Sequence, residues 1–273
     1  MSRRRTVAIV QARIGSTRLP GKVMMKVGGR PLLVYLVERI SRARTLDAIV
    51  VATTTNPRDN LIIEECERRG IPNFRGSESD VLGRYVSAAR ACEADIIVRV
   101  TADNPFTDPD SIDRVVDALN DRNTDYAIEN RLPIGVTGEA LTWAALSFID
   151  SVANTPAWRE HVTLYAKDNP QSLPCAFLEA PAECARPDLS FTVDRLDEYL
   201  YTRRLAETFK TVDFDLKNLI EVADEVSVMA GRSHMSRANA SPVGRSHQEE
   251  GLFRHDRGQE NQWGRDHRKL RSH

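Results

Sequence analysis

No two cysteines in this chain stand at C-x-x-C spacing. The four present, Cys66, Cys92, Cys175 and Cys184, are scattered, which offers neither a zinc site nor a redox pair. Isolated thiols suit a reducing compartment, so a cytoplasmic location is expected. No apolar run approaches the roughly 18 residues of a membrane helix. The apolar stretch near the N-terminus is too short for a secretory signal, and Gln11 and Arg13 follow it directly. Excess charge is missing too: 38 Lys and Arg against 39 Asp and Glu leave a net −1, which argues against a general nucleic-acid binder. Neither G-x-G-x-x-G nor G-x-x-x-x-G-K-[ST] follows the first apolar segment, which removes the dinucleotide fingerprint and the Walker loop.

One further absence is local and points the other way. "QARIGSTRLPGKVMMKVGGRP", from Gln11 to Pro31, contains three arginines, two lysines and four glycines, and no Asp or Glu. In a chain of nearly balanced charge, such a loop implies a bound anion.

The 273 residues suffice for one large or two small domains, and 41% apolar with 28% charged residues fits a globular protein. Short apolar runs alternate with segments of helical period. "VAIVQA", "AIVVATT", "IPNFRG" and "DIIVRVTAD" read as strands. Helices are expected over 31–44, from Pro57 to Gly70, over 79–93, and from "DPDSIDRVVDAL". Continuous apolar strands separated by helices mean a mostly parallel sheet covered on both faces, an α/β fold. After about residue 125 the pattern loosens. "DYAIEN" and "CAFLEA" read as strands that make the sheet mixed, and 158–167 and 196–210 as helices. One domain is expected over 1–229. Residues 230–273, rich in Arg, His, Ser, Gln and Gly without period, read as a disordered polar tail.

In an open α/β sheet, ligands collect beyond the carboxyl ends of the strands, and the basic loop follows the first strand. Arg13, Arg18 and Lys22 supply cations over ten residues, Gly15 and Gly21 permit turns and close approach, and Ser16 offers a hydroxyl. That spacing suits a polyphosphate better than a single carboxylate.

The loop "QARIGSTRLPGK" resembles the signature of the cytidylyltransferases that activate acidic sugars. These are the CMP-Kdo synthetases and, closer, the family of spore coat polysaccharide biosynthesis protein F. "GGRPLLVYLVERI", "IVVATT", "FRGSESDVLGRY", "ADIIVRVTADNPFTDPDSIDRVV", "REHVTLY" and "FTVDRLDEYL" continue the likeness in order, over roughly 6–208. The resemblance implies a GT-A-like nucleotidyltransferase fold and the reaction of CTP with an acceptor to give a CMP-acceptor and pyrophosphate. It implies Mg2+, a small sugar-like acceptor, no nucleic acid or membrane partner, and an assembly that a homodimer would satisfy.

By the same likeness Ala12, Arg13, Gly15, Ser16, Arg18 and Lys22 bind the nucleotide, Arg13, Lys22 and Asp103 are catalytic, and Asp103 and Asp194 hold the metal. Other readings of the aspartates stay open. Asp103 can be a turn or cap residue before Pro105, and Asp194 can cap the helix that follows it. Asp108 and Asp110 read as helix-start residues. Ser77, Asp80 and Arg84 fall where related enzymes face the nucleobase, and N-capping explains Asp80 equally well. At the acceptor end, Glu139, Arg159 and His161 match family positions, though His161 alone on a helix is as readily structural. Departures are Ala102 and Asn104 beside Asp103, and Thr137 where the family has an acidic residue. Two other functions remain: a glycosyltransferase using a nucleotide sugar, for which "TADNP" lacks a D-x-D, and a non-catalytic scaffold.

Overall fold

The computed structural model describes residues 3–121 and 124–229; the polar tail expected from residue 230 onward lies outside the described residues. The first half of the chain supplies β1 (Thr6–Gln11), a two-stranded ribbon of β2 (Lys26–Val27) and β3 (Arg30–Pro31), α1 (Leu32–Ile40), β4 (Ala48–Thr54), α2 (Asn60–Arg68), β5 (Asn73–Gly76) and α3 (Val81–Ala91). It continues with β6 (Ile96–Thr101) and α4 (Pro109–Asp121). The second half holds β7 (Tyr126–Asn130), β8 (Glu139–Thr142), α5 (Trp143–Val152), α6 (Pro156–Glu160), α7 (Leu164–Asp168), β9 (Cys175–Glu179), α8 (Leu196–Thr208) and α9 (Leu216–Met229).

Seven strands make one sheet in the order β5-β4-β1-β6-β8-β7-β9. Pairing is parallel throughout β5, β4, β1 and β6, antiparallel on both sides of β8, and parallel again between β7 and β9. β8 therefore runs against all the others, and the sheet is mixed but mostly parallel, as expected. The interior strand β1 is apolar at consecutive positions because both its faces are covered. Ala8 and Val10 pack with Leu33, Leu36, Ile62, Val115 and Leu119 on one side. Val7 and Ile9 pack with Val81, Tyr85, Leu146 and Ile149 on the other. Among the described residues no helix is long and apolar enough to cross a membrane.

The second half departs in detail from the sequence pattern. β8, α5 and α9 are additional elements, and the helix expected at 158–167 is two short ones. The break falls at His161 (φ −106°, ψ 80°), before Val162 and Thr163, both of which are buried. Interior packing of those two β-branched residues sets the backbone there.

A third apolar cluster binds α8 and α9 to α1 and the segment around Phe191. Phe106 lies at its centre, edge-on to Tyr35, Phe191 and Phe214 at 5.8–6.1 Å. Beside it the fully buried Arg39 donates to the carbonyls of Thr107, Val212 and Phe214 (3.0–3.1 Å) and stacks on the Phe214 ring at 4.0 Å. Its charge also faces Asp108 at 3.8 Å. Arg39→Ala strands three carbonyls and a buried carboxylate, and is expected to cost about 3–5 kcal/mol of unfolding free energy. A urea midpoint equal to the parent's would show that this residue does not tie the C-terminal helices to the sheet.

Candidate active site

The loop after β1 is shaped by its own backbone and by one buried carboxylate. The Ser16 and Gly21 N–H groups donate to the Ile14 carbonyl at 2.8 and 2.9 Å, so the chain doubles back on itself. Gly21 has φ +71°, a left-handed conformation that glycine adopts without steric cost. Asp59, just ahead of α2, accepts from the Ile14 N–H (2.8 Å), the Thr53 hydroxyl (3.0 Å) and the Thr54 N–H (3.1 Å). Those contacts fix the loop to the carboxyl end of β4. Ala12 is buried at the loop's root, and its N–H continues the ladder to the Ala52 carbonyl (3.2 Å). Gly15 is exposed and Ser16 half-buried above it.

Lys22 is the surprise of the loop. A basic residue there is expected to be exposed, yet only 7% of it is accessible. It opens a turn of 3-10 helix (Lys22–Met24), and its ammonium points inward. All three of its N–H directions have acceptors: Asp103 Oδ2 at 2.7 Å, the Val193 carbonyl at 2.8 Å and Asp194 Oδ1 at 3.0 Å. Arg18, largely exposed, reaches Asp194 Oδ2 at 3.0 Å. Arg13 stands at the loop's edge, 3.8 Å from Glu160 Oε1. Two carboxylates and two cations thus meet at one point beyond the carboxyl ends of β1 and β6, and Arg13 adds a further cation nearby.

The two aspartates reach that point from segments 91 positions apart in the chain. Asp103 lies in the turn after β6, and its carbonyl accepts from the Val193 N–H at 2.8 Å. The cap of α4 is Asp108, whose carboxylate accepts from the Ser111 N–H (3.0 Å). Asp194 likewise is not the cap of α8. Arg195 holds that position, and Glu198 bonds the amides of Asp194 and Arg195 at 2.6 and 3.0 Å. Both aspartate side chains face Lys22.

On the side expected to face the base, Ser77 is exposed and its hydroxyl accepts from the Asp80 N–H (3.1 Å). Asp80 is the N-cap of α3, accepting from the Gly83 N–H at 3.0 Å, and it takes a fork from Arg159 at 2.6 and 2.9 Å. Burial alone would raise its pKa, but those bonds outweigh it and hold the carboxyl below its usual range. Arg159 also bonds Asp150 Oδ1 at 2.7 Å. Asp80 and Arg159 were assigned to different ligands from the sequence; here they satisfy each other. Arg84 is buried, with Nη1 on the Ser77 carbonyl.

On the side expected to take the acceptor, Glu139 is buried at the start of β8 and accepts from the Thr163 hydroxyl and the Lys167 ammonium. Burial works against its charge, and Lys167 and Arg99 more than offset it, so its pKa lies below the ordinary value. His161 is exposed at the end of α6.

Residues 7–226 match the cytidylyltransferase family. The chain belongs to it. Spore coat polysaccharide biosynthesis protein SpsF of Bacillus subtilis is 37% identical over 196 residues, covering 70% of this chain and 82% of that protein. A solved cytidylyltransferase from Leptospira borgpetersenii superposes with a TM-score of 0.77 at 30% identity, covering 83% of this chain and 96% of the other. A CMP-2-keto-3-deoxy-manno-octonic acid synthetase solved with CTP shares the fold, with a TM-score of 0.59 at 17% identity over 75% of this chain and 99% of that one.

The cytidylyltransferase is accordingly a nucleotidyltransferase with an α/β fold. Several residues that shape its site carry no local signal. Asp59, Asp150, Thr163 and Lys167 act through partners that the fold brings together. Only Asp59 has a hint in sequence, as an acid at the start of a helix, and that hint suggests capping rather than loop anchoring.

Proposed function

We propose that this cytidylyltransferase transfers CMP from CTP to a sugar acceptor with release of pyrophosphate. The observation that carries the reading is the convergence of Asp103 and Asp194 on a single cation at the mouth of the parallel sheet. Chemistry on phosphates requires positioning and charge neutralisation more than covalent help from the protein. The loop meets both needs: Lys22, Arg18 and Arg13 present cations on one side, and the Gly15–Ser16 turn exposes backbone to a triphosphate.

The same convergence fits a divalent metal. Two carboxylates already share one positive charge, and among the described residues no third acidic, His or Cys side chain completes a cluster. Such a pair suits Mg2+, which binds through one or two carboxylates and takes its other oxygens from phosphate and water. Asp103 and Asp194 would hold it, and when bound it neutralises charge on the phosphates. In the transfer, an acceptor oxygen attacks the α-phosphorus in line, and the proton of an attacking hydroxyl is released to solvent. The bond from that phosphorus to the α,β-bridging oxygen breaks, and its electron pair leaves with pyrophosphate. Lys22 and Arg18 stabilise the charge that develops. Asp80, Arg84 and Ser77 frame the base side by fixing the start of α3, and Arg159 locks that frame through Asp80. His161 stands exposed at the acceptor side.

The test is pyrophosphate release from CTP, UTP, ATP and GTP in Mg2+ with a panel of acidic sugars. Release with CTP and an acidic sugar, well above the other nucleotides, is the expected result. Absence of release from every pair, or glycosyl transfer from a CMP-sugar without pyrophosphate, would sink the proposal.

A further inference from the structure

Arginines that lie even partly below the surface of this protein are as a rule spoken for. Arg39 bonds three carbonyls, Arg114 forks onto Glu129, Arg159 holds Asp80 and Asp150, and Arg186 holds Asp188 and Asp224. Arg99 is different. It stands on the central strand β6, opposite Glu139 of β8 in register and four residues before Asp103. Its Nε is buried without a partner. Its nearest acid is Glu139 Oε2, 3.7 Å from Nη1, which is beyond hydrogen-bond reach. That carboxylate is drawn away by the Thr163 hydroxyl and the Lys167 ammonium. Tyr85, packed nearby, gives its hydroxyl to the carbonyls of Ile9 and Val100. A guanidinium has five N–H donors and no acceptor, and among the described residues this one donates no hydrogen bond.

A buried donor without a partner costs about 1–3 kcal/mol, more when it is charged. A strand that carries such a group in its interior suggests a ligand that completes it. Arg99 is also reachable, since a fifth of its side chain is open to solvent. Lys167, a third exposed, stands on the other side of Glu139. The cluster therefore has two cations around one carboxylate, a net positive charge. It lies on the strand that delivers Asp103, within electrostatic reach of that carboxylate. The cations of the nucleotide loop pair with Glu160, Asp194 and Asp103, whereas Arg99 faces Glu139, so an anion at Arg99 is assigned to the second substrate.

We propose that Arg99, oriented by Glu139 with Lys167 beside it, is the specificity-determining residue that binds an oxyanion of the acceptor. The planar fork of a guanidinium matches a carboxylate in two parallel bonds, and it also accepts a phosphate. Glu139 is then a positioning residue, which accounts for its burial. The inference rests on the cytidylyltransferase reading for the word acceptor, but not for the anion.

The experiment compares parent, Arg99→Met and Arg99→Lys proteins in pyrophosphate release with CTP. The acceptors are 3-deoxy-manno-octulosonate, N-acetylneuraminate, glucose 1-phosphate and uncharged glucose. With the parent, an anionic sugar is turned over and glucose is not. Arg99→Met should raise the acceptor KM about 30-fold or more, in keeping with the loss of a charge-assisted bond, and leave the CTP KM within about twofold. Turnover of a carboxylate sugar alone identifies the oxyanion as a carboxylate, and turnover of the phosphate alone as a phosphate. Arg99→Lys keeps the charge without the fork and should recover part of the loss if folding limits the Met variant. A rise in the CTP KM instead, or equal use of glucose, would overturn the assignment. If the parent releases no pyrophosphate at all, the nucleotidyltransferase reading fails, and direct calorimetry of the same sugars against parent and Arg99→Met still decides the subsite. Binding that disappears with the guanidinium upholds it; no binding to the parent, or equal binding to both, removes it.

Discussion

An Asp103→Asn protein is expected to fold as the parent does and to release pyrophosphate from CTP more slowly by about 10³-fold, the upper range for loss of one preorganised electrostatic group. Asparagine keeps the shape and an oxygen acceptor, so the Lys22 ammonium retains a partner while half of the carboxylate pair is neutralised. Asp194→Asn should behave alike, because both oxygens converge on the same cation. The decisive readout is turnover against Mg2+ concentration at saturating CTP. Partial recovery at high Mg2+ supports a weakened metal site. Turnover equal to the parent's at low Mg2+ in both variants would return these aspartates to a purely structural role.

Lys22→Met should have two effects of opposite response to metal. Turnover is expected to fall by about 10²-fold or more, since the cation shared by Asp103 and Asp194 is gone. Stability falls too, because Asp103 and Asp194 are left facing each other. Breaking a fully buried pair costs about 3–5 kcal/mol, and about a quarter of the Asp103 side chain is exposed to solvent, so about 2–3 kcal/mol is the expected loss. Mg2+ should restore more melting temperature to this variant than it adds to the parent, in which the ammonium already sits between the carboxylates. A variant as stable as the parent, with no added response to Mg2+, would show that the lysine and a metal do not share a place.

What the amino-acid sequence discloses here follows a physical division. β1, β4 and β6 are legible because strands buried on both faces need unbroken apolar runs, and the basic loop because excess charge and glycine leave a local mark. Gly70 and the Pro57 start bracket α2 for similar reasons. β8 is hidden: four residues, Glu139–Thr142, open with an acid whose partners come from α7 and β6. The Asp80–Arg159 fork joins residues 79 positions apart, and no local pattern could have joined them. Lys22 was expected to be exposed because a lysine in a glycine-rich loop has no neighbour in sequence to bury it. Its enclosure comes from Val193 and Asp194, brought in by the far end of the chain. Asp103 was legible as a carboxylate at the end of the strand "DIIVRVTAD", and the family likeness joined Asp194 to it.

That last contact has a meaning for how the protein is made. Lys22 and Asp194 are 172 residues apart, and at the usual 5–20 residues per second a ribosome needs roughly ten to thirty seconds between them. A nascent chain released just past β6 already has four neighbouring parallel strands, the basic loop and Asp103. It has no partner for the Val193 and Asp194 side of Lys22. Assembly of the site is therefore a late, long-range event of the kind that slows folding, and competence is reached only after the segment leading into α8 docks. A polypeptide truncated before Phe191 would carry all seven strands of the sheet and still lack Val193 and Asp194, the two late partners of Lys22.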